Sequence, residues 1–120
     1  MIRGIGNDII EIQRVKRACQ SEAFLRYVYT VKEQECFRRL PASLAGNFAV
    51  KEAVAKMLGT GFSGFGPADI EVLRDEAGRP YVNLYAGARK RQQELGVEKI
   101  WVSISHTKEI AAASAVGEGA

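Results

Sequence analysis

The longest unbroken apolar pattern in the chain predicts a helix within residues 43–61. Ser43 is a candidate N-cap, and Gly59 stands where a helix commonly ends in a left-handed residue. No Gly or Pro interrupts residues 47–58. The apolar positions recur at helical spacing and form one stripe, at Val50, Val54, Met57 and Leu58.

A second row on the same helix carries charge. Phe48, Glu52 and Lys56 follow i, i+4, i+8 spacing, about 200° around from the apolar stripe. Glu52 and Lys56 could be a solvated pair that supports the helix by roughly 0.2–0.5 kcal/mol. Alternatively, the carboxylate and the ammonium face a ligand, and the helix pattern alone leaves both alternatives open.

The remaining pattern predicts a strand over residues 1–10, followed by a helical pattern that begins at Ile9. Thr30 and Glu33 have the spacing of a capping box, which predicts a helix through Leu40 that Pro41 closes off. Strands are expected around 70–74 and 80–84 as a hairpin, and around 100–104 and 110–116. A basic helix is expected over 86–95, ended by a glycine, and residues 117–120 are expected to fray.

Asp8 and His106 are candidate functional residues with plain alternatives. Asp8 precedes a helical pattern, so it suits either a helix cap or a ligand for a cation. His106 is the only histidine, and it stands among hydroxyls and Lys108 in a predicted turn. A histidine in a turn is more often without special function, but this set of donors could hold an anion.

Composition narrows the class of protein without naming it. The 120 residues fit one domain over residues 1–120, and 17 basic against 14 acidic residues give a net charge of +3. That excess favours an anionic partner, whether nucleic acid, a phosphorylated cofactor or an acidic protein. Cys19 and Cys36 are isolated, as expected of reduced thiols. With no signal peptide and no membrane-length apolar run, we expect a cytoplasmic protein that contacts no membrane.

Three segments together resemble the motifs of the holo-(acyl-carrier-protein) synthase family: GIGNDIIEIQRV at 4–15, LAGNFAVKEAVAKMLGTG at 44–61 and VSISHT at 102–107. The similarity extends through essentially the whole chain. It implies an α+β fold of the phosphopantetheinyl transferase type, with a small antiparallel sheet packed on one long helix. It also implies a homotrimer with active sites between subunits.

The resemblance implies a magnesium-dependent transferase. Such enzymes move the 4′-phosphopantetheine group of coenzyme A to a serine of apo acyl carrier protein, in fatty-acid or polyketide synthesis, and release adenosine 3′,5′-bisphosphate. By matching positions, Asp8 and Glu52 would bind Mg²⁺, and Glu52 or a metal-bound water would take the serine proton. Lys56 would offset charge on the leaving phosphate. Coenzyme A would contact Lys51, Lys56 and His106, and the carrier protein would contact Arg14, Arg17 and Arg26.

Two rival hypotheses remain at this level. A basic binding module for RNA or an acidic protein would explain the charge and the helix at 86–95, but it gives Asp8 and Glu52 no role. It also lacks the interleaved aromatic residues of single-strand binders, so we expect no nucleic-acid partner. An inactive, interaction-only subunit is the second rival. Its one hint is Asn47, which stands where the family commonly has Arg.

Overall fold

Five strands and five α-helices make up the fold, which a computed structural model describes over all of residues 1–120. A single 3-10 turn, Pro67–Asp69, precedes the second strand. The elements in chain order are β1 (Ile2–Glu11), α1 (Ile12–Ala18), α2 (Glu22–Val28), α3 (Val31–Phe37), α4 (Pro41–Met57), β2 (Ile70–Arg74), β3 (Pro80–Leu84), α5 (Ala86–Leu95), β4 (Lys99–His106) and β5 (Ile110–Glu118).

The strands form two antiparallel sheets around one long helix. The larger sheet has the order β1-β5-β4, and β2 pairs with β3 as a separate hairpin. Helix α4 crosses the larger sheet, and its other side packs against α1, α3 and β2. The α+β fold expected from the sequence is therefore confirmed. None of the helices combines the length and hydrophobicity needed to cross a membrane.

Helix α4 is buried on most sides because two apolar clusters meet on it. One cluster fills the space between α4, the sheets and α5, and the other lies under α1, α2 and α3. The predicted stripe is confirmed, since Val50, Val54, Met57 and Leu58 are all buried. Gly59 has φ of 79°, as predicted for a helix end.

The start of α4 differs from the prediction. Pro41 occupies the first turn of α4, with Leu40 at the N-cap and no side-chain cap, so Ser43 lies inside the helix. Proline suits the first turn because its missing N–H would have no intrahelical partner. The preceding helix ends at Phe37 rather than Leu40. Pro41 therefore begins a helix instead of closing one.

Strand pairing overrides the local pattern at both chain ends. β1 runs to Glu11 because it pairs with β5 along its length, so the helix prediction from Ile9 was wrong and α1 begins at Ile12. β5 likewise extends to Glu118, and the Met1 ammonium donates to the Gly119 carbonyl at 2.8 Å. The predicted fraying of residues 117–120 was therefore wrong.

The capping box and the predicted hairpin are confirmed. The Thr30 backbone N–H donates to the Glu33 carboxylate, and the Thr30 hydroxyl accepts from the Glu33 N–H. β2 and β3 have the predicted bounds, and α5 ends at Gly96 with φ of 71°. These elements depend on local chemistry, which explains why the pattern found them.

Two glycines let β1 lie directly on α4. A Cβ added to Gly6 would come within 2.0 Å of the Ala53 carbonyl oxygen, and one on Gly4 within 2.3 Å of the Met57 carbonyl oxygen. Both obstacles are helix backbone, which cannot move aside as a flexible side chain can. Glycine is therefore required at these positions for close approach rather than for a special φ value.

We expect Gly6→Ala to lower the free energy of unfolding by about 3 kcal/mol or more, because the new methyl group overpacks a backbone contact. Urea denaturation would measure the loss. Gly66→Ala is the matched control, since nothing lies within 4 Å of its added Cβ and its φ is −110°. Equal stability of the two variants would contradict the close-packing role of Gly6.

Candidate active site

Asp8, Glu52 and Lys56 come together on one side of α4. Asp8 lies in β1, two residues beyond Gly6, and its side chain points to the helix side of the sheet. The Lys56 ammonium donates to Asp8 Oδ1 at 3.2 Å and to the Asn7 carbonyl at 3.0 Å. Lys56 thus pairs with the strand rather than with Glu52, its i−4 neighbour. Asp8 is not a helix cap, because α1 begins four residues later.

The two carboxylates of this site influence each other. Burial raises the pKa of Glu52, the Asp8 charge raises it further, and Lys56 opposes both. The two acids repel each other in a half-buried space, and one exposed lysine lies nearby. A further positive charge between them would offset that repulsion. The geometry therefore favours a cation between Asp8 and Glu52.

The donor set fits Mg²⁺ bound together with a phosphorylated ligand. No group of three or more His, Cys, Asp or Glu side chains gathers anywhere in the fold, so no site encloses a metal with protein ligands alone. Mg²⁺ characteristically uses one or two carboxylates and completes its shell with phosphate oxygens and water. Asp8 and Glu52 supply that number. The apolar Ile10, two residues after Asp8, adds no further oxygen ligand.

An apolar groove of about 280 Å³ begins at Glu52. The stacked rings of Phe24 and Phe48, with centroids 6.2 Å apart, form part of its wall. Its lining comprises Phe24, Tyr27, Val28, Phe48, Lys51, Glu52, Phe62 and Pro67. The aromatic residues of α2 line this groove, which no sequence pattern predicted. The available signal was their density beside the Glu52 face, but Phe62 reaches the groove only through the tertiary fold.

The Lys51 side chain borders the groove, but its ammonium points into the core rather than into the candidate site. Its ammonium is buried and donates to Glu33 at 2.7 Å, to the Pro67 carbonyl at 3.1 Å and to the Ile70 carbonyl. Burial lowers the pKa of Lys51, and the charge of Glu33 opposes that shift. All three N–H donors are used, so none remains for coenzyme A. We therefore assign Lys51 to the core.

Asn47 also points inward. Its amide nitrogen donates to Glu33 and to the Val72 carbonyl, both at 3.0 Å. Asn47 is fully buried, so no side chain from this position reaches a ligand at the surface. Glu33 thereby accepts hydrogen bonds from Thr30, Asn47 and Lys51, which satisfies its buried carboxylate.

His106 lies at a different place from the acid pair. It ends β4 and lines a cavity of about 220 Å³ beside the first turn of α4, with Ala42, Ser43, Arg74, Gly78, Pro80 and Ile104. Ser43 and Glu52 are separated by about 14 Å along α4, at 1.5 Å per residue. Within one chain, the structure therefore does not bring His106 to Asp8 and Glu52.

The three arginines predicted to contact a partner are all exposed. Arg14 and Arg17 lie on α1 and Arg26 lies on α2, and none of them forms an ion pair. Arg14 also lines a small groove of about 110 Å³, with Ile10, Val15, Ala18, Phe24 and Phe48. Unpaired cations beside an apolar groove suit a partner that is acidic and has an apolar side chain to insert.

Comparisons with known proteins show relatives over nearly the whole chain. Residues 4–115 match the family model described as the 4'-phosphopantetheinyl transferase superfamily. A holo-(acyl-carrier-protein) synthase of Lachnoclostridium phytofermentans is 52% identical over 118 residues, which cover 98% of this chain and 97% of the relative.

Solved structures show the same likeness in three dimensions. The acyl carrier protein synthase of Plasmodium yoelii with ADP bound has a TM-score of 0.90 at 34% identity, over 100% of this chain and 97% of that one. The synthase of Bacillus anthracis in complex with CoA (3',5'-ADP) has a TM-score of 0.84 at 34% identity, over 100% of this chain and 99% of that one. The chain therefore belongs to the holo-(acyl-carrier-protein) synthase family, and it is a transferase.

We expect Lys51→Met to lower the free energy of unfolding by about 3–5 kcal/mol, because it leaves the Glu33 carboxylate buried without its cation. Lys56→Met, one turn along the same helix, removes only an exposed pair and should cost at most about 1 kcal/mol. Chemical denaturation of both variants would test this. Similar losses in the two proteins would contradict a core role for Lys51.

Proposed function

We propose that this protein transfers the 4′-phosphopantetheine group of coenzyme A to a serine of apo acyl carrier protein, with Mg²⁺, and releases adenosine 3′,5′-bisphosphate. The observation that carries the proposal is the meeting of Asp8, Glu52 and Lys56 on one side of α4, where Glu52 also lines an apolar groove. Family membership supports the reaction, and two carboxylates beside one lysine suit a bound diphosphate.

Each residue of this group has a role in that reaction. Asp8 and Glu52 would hold Mg²⁺, which when bound neutralises charge on the diphosphate. Lys56 is held by Asp8 and Asn7 at the same position, where its charge offsets that of the departing phosphate. Glu52 is one candidate general base for the serine hydroxyl, and a metal-bound water is the alternative base.

The groove beside Glu52 suits the arm that is transferred. Its walls are largely aromatic and aliphatic, and it starts next to the carboxylates that would hold the phosphates. The phosphopantetheine arm is an extended chain of methylenes and amides, which such a groove can cover. We assign the groove to this arm, because the arm is attached to the phosphate that the serine would attack and Glu52 lies at both places.

A second copy of the chain would complete the site. His106 lies beside the first turn of α4, about 14 Å along the helix from Glu52 of its own chain, so we propose that it reaches coenzyme A from a neighbouring subunit. The sheet face turned away from α4 is exposed and apolar, with Ile5 69% and Ile9 66% accessible and Trp101 also exposed. Such a face is typical of an interface between copies. We propose the homotrimer that the family resemblance implies.

The exposed arginines of α1 and α2 support docking of an acidic carrier helix. Arg14 lines the small groove formed with Phe24 and Phe48. A carrier bound there would approach the Glu52 groove from the other side of the stacked rings.

The two unpaired cysteines support a reducing compartment, and we propose the cytoplasm.

The test is an assay with coenzyme A, Mg²⁺ and apo acyl carrier protein. Transfer of phosphopantetheine should raise the carrier mass by about 340 Da, read by mass spectrometry. We expect Glu52→Ala to lower turnover more than about 100-fold, because the change removes a proposed metal ligand. Glu52 lies off the apolar stripe, so the fold should persist, as thermal unfolding would show.

Glu35→Ala is the control, since this acid is exposed on α3 and makes no hydrogen bond. It should leave turnover unchanged. Absence of the mass gain with the unaltered protein would refute the proposed reaction. Substantial activity of Glu52→Ala would refute only the metal role of Glu52.

Arg14→Glu should raise the KM for carrier protein about tenfold and leave the KM for coenzyme A nearly unchanged, because it reverses charge on the docking face alone. Steady-state kinetics at low and high salt would measure both constants. The rise in the KM for carrier protein should shrink with added salt, since ions screen a solvent-exposed contact between Arg14 and the carrier. Arg89→Glu, on α5, is the matched charge reversal elsewhere on the surface. An equal rise in both KM values would contradict the assignment of Arg14.

A further inference from the structure

The loop between α4 and the 3-10 turn contributes one side chain, Phe62, to the groove beside Glu52. Apart from Pro67, which begins the 3-10 turn, the other lining residues belong to α2 and α4. Phe62 is therefore the one lining residue on irregular backbone. The position of its ring is set by a loop, whereas helices set the rest of the groove.

Few hydrogen bonds hold this loop. Within residues 60–65, a single backbone N–H donates a hydrogen bond, that of Gly61 to the Ala55 carbonyl at 3.2 Å. The Thr60 hydroxyl donates only within the loop, to the Gly61 carbonyl at 3.0 Å. The position of Phe62 therefore depends on packing more than on hydrogen bonds.

Two packing contacts hold Phe62 at the groove. The ring of Phe65 packs against the apolar cluster around α4 and meets Phe62 edge-on, with the ring centroids 5.8 Å apart. The loop backbone also rests on the first turn of α5, since a Cβ added to Gly87 would come within 2.1 Å of the Gly64 carbonyl oxygen. The loop can lie this close to α5 only because position 87 has no side chain. Phe62 is thus placed in part by a contact outside the groove.

We propose that Phe62 recognises the phosphopantetheine arm of coenzyme A and that the contact between Gly64 and Gly87 positions Phe62 for this role. The inference rests on the proposed function, in which the groove takes the arm and Glu52 holds the metal ion at the diphosphate. The pantetheine part of the arm is uncharged, so an aromatic wall stabilises it by removing its methyl and methylene groups from water. Phe62 thereby sets the affinity for the arm, while other residues bind the phosphates.

An apolar side chain of the carrier protein is the rival occupant of the groove. The arm is favoured because Glu52 lines the groove and is also one of the two acids proposed to hold the metal ion at the phosphate that carries the arm. The two occupants differ in a measurable way. Contact between Phe62 and the arm strengthens the binding of coenzyme A in the absence of any carrier, whereas contact with the carrier does not.

The test is calorimetry of the whole chain with Mg²⁺ and two nucleotides. One is coenzyme A, and the other is 3′-phosphoadenosine 5′-diphosphate, which has the phosphates of coenzyme A but no pantetheine. We expect the unaltered protein to bind coenzyme A more tightly. Phe62→Ala should lower the affinity for coenzyme A roughly tenfold, because the apolar contact of one ring is lost. Its affinity for 3′-phosphoadenosine 5′-diphosphate should stay unchanged.

Gly87→Ala tests the positioning contact, because its methyl group meets the Gly64 carbonyl without entering the groove. It should reduce the same preference for coenzyme A. Gly66→Ala is the matched control at the end of the same loop, since nothing lies within 4 Å of its added Cβ. It should keep the preference. An unchanged preference in Gly87→Ala would overturn the positioning role.

An unchanged preference in Phe62→Ala would overturn the inference, as would equal affinity of the unaltered protein for the two nucleotides. An equal loss of affinity for both nucleotides would also overturn it, because the phosphates would then depend on Phe62 as much as the arm does. If the unaltered protein binds neither nucleotide, the proposed function fails and the inference fails with it. If thermal unfolding shows that Phe62→Ala does not fold, Phe62→Val must lower the same preference for the inference to stand.

Discussion

The contact between β1 and α4 at Gly4 and Gly6 is the constraint on which the acid site depends. Asp8 and Glu52 are 44 positions apart in the sequence, and they meet because the strand backbone lies against the helix backbone. A side chain at Gly6 would meet the Ala53 carbonyl, one residue from Glu52. That clash would push β1 away from α4. Asp8, two residues further along the strand, would then move away from Lys56. The geometry of the site therefore follows from main-chain packing as much as from the identity of the acids.

Neighbouring residues of α4 have opposite roles because the helix lies between two environments. Lys51 and Glu52 point about 100° apart, so the Lys51 ammonium enters the core while the Glu52 carboxylate stays at the groove. The buried Lys51–Glu33 pair ties α4 to α3 and to the backbone around Ile70. An ion pair of this kind adds little net stability compared with apolar packing, but an incomplete pair is strongly unfavourable. The pair thus favours one position of α4 relative to α3, and that position also determines where the side chain of Glu52 lies.

Sequence reasoning succeeded where structure depends on local chemistry. The capping box at Thr30, the β2–β3 hairpin and the end of α5 at Gly96 require only neighbouring residues. It failed where distant strands decide, as at Ile9, whose helical pattern loses to pairing with β5. The partners of the Lys51 ammonium could not be anticipated for the same reason: Glu33 lies on another helix, and only the fold shows that the ammonium has no free donor. The proximity of Asp8 and Glu52 was anticipated from the family resemblance, since no pattern within either segment specifies it.

The length of α4 explains why one chain alone would provide only half of the proposed site. Its first turn borders the cavity with Arg74 and His106, whereas its last turns carry Glu52 and Lys56. A rigid helix cannot bring its two ends together, and in the proposed site a substrate that contacts both sets would bridge two copies. The apolar sheet face with Ile5 and Ile9 offers the surface for that association. In this arrangement, subunit association and substrate binding are thermodynamically linked, because the nucleotide contacts two chains and therefore stabilises the assembled form over the separated one.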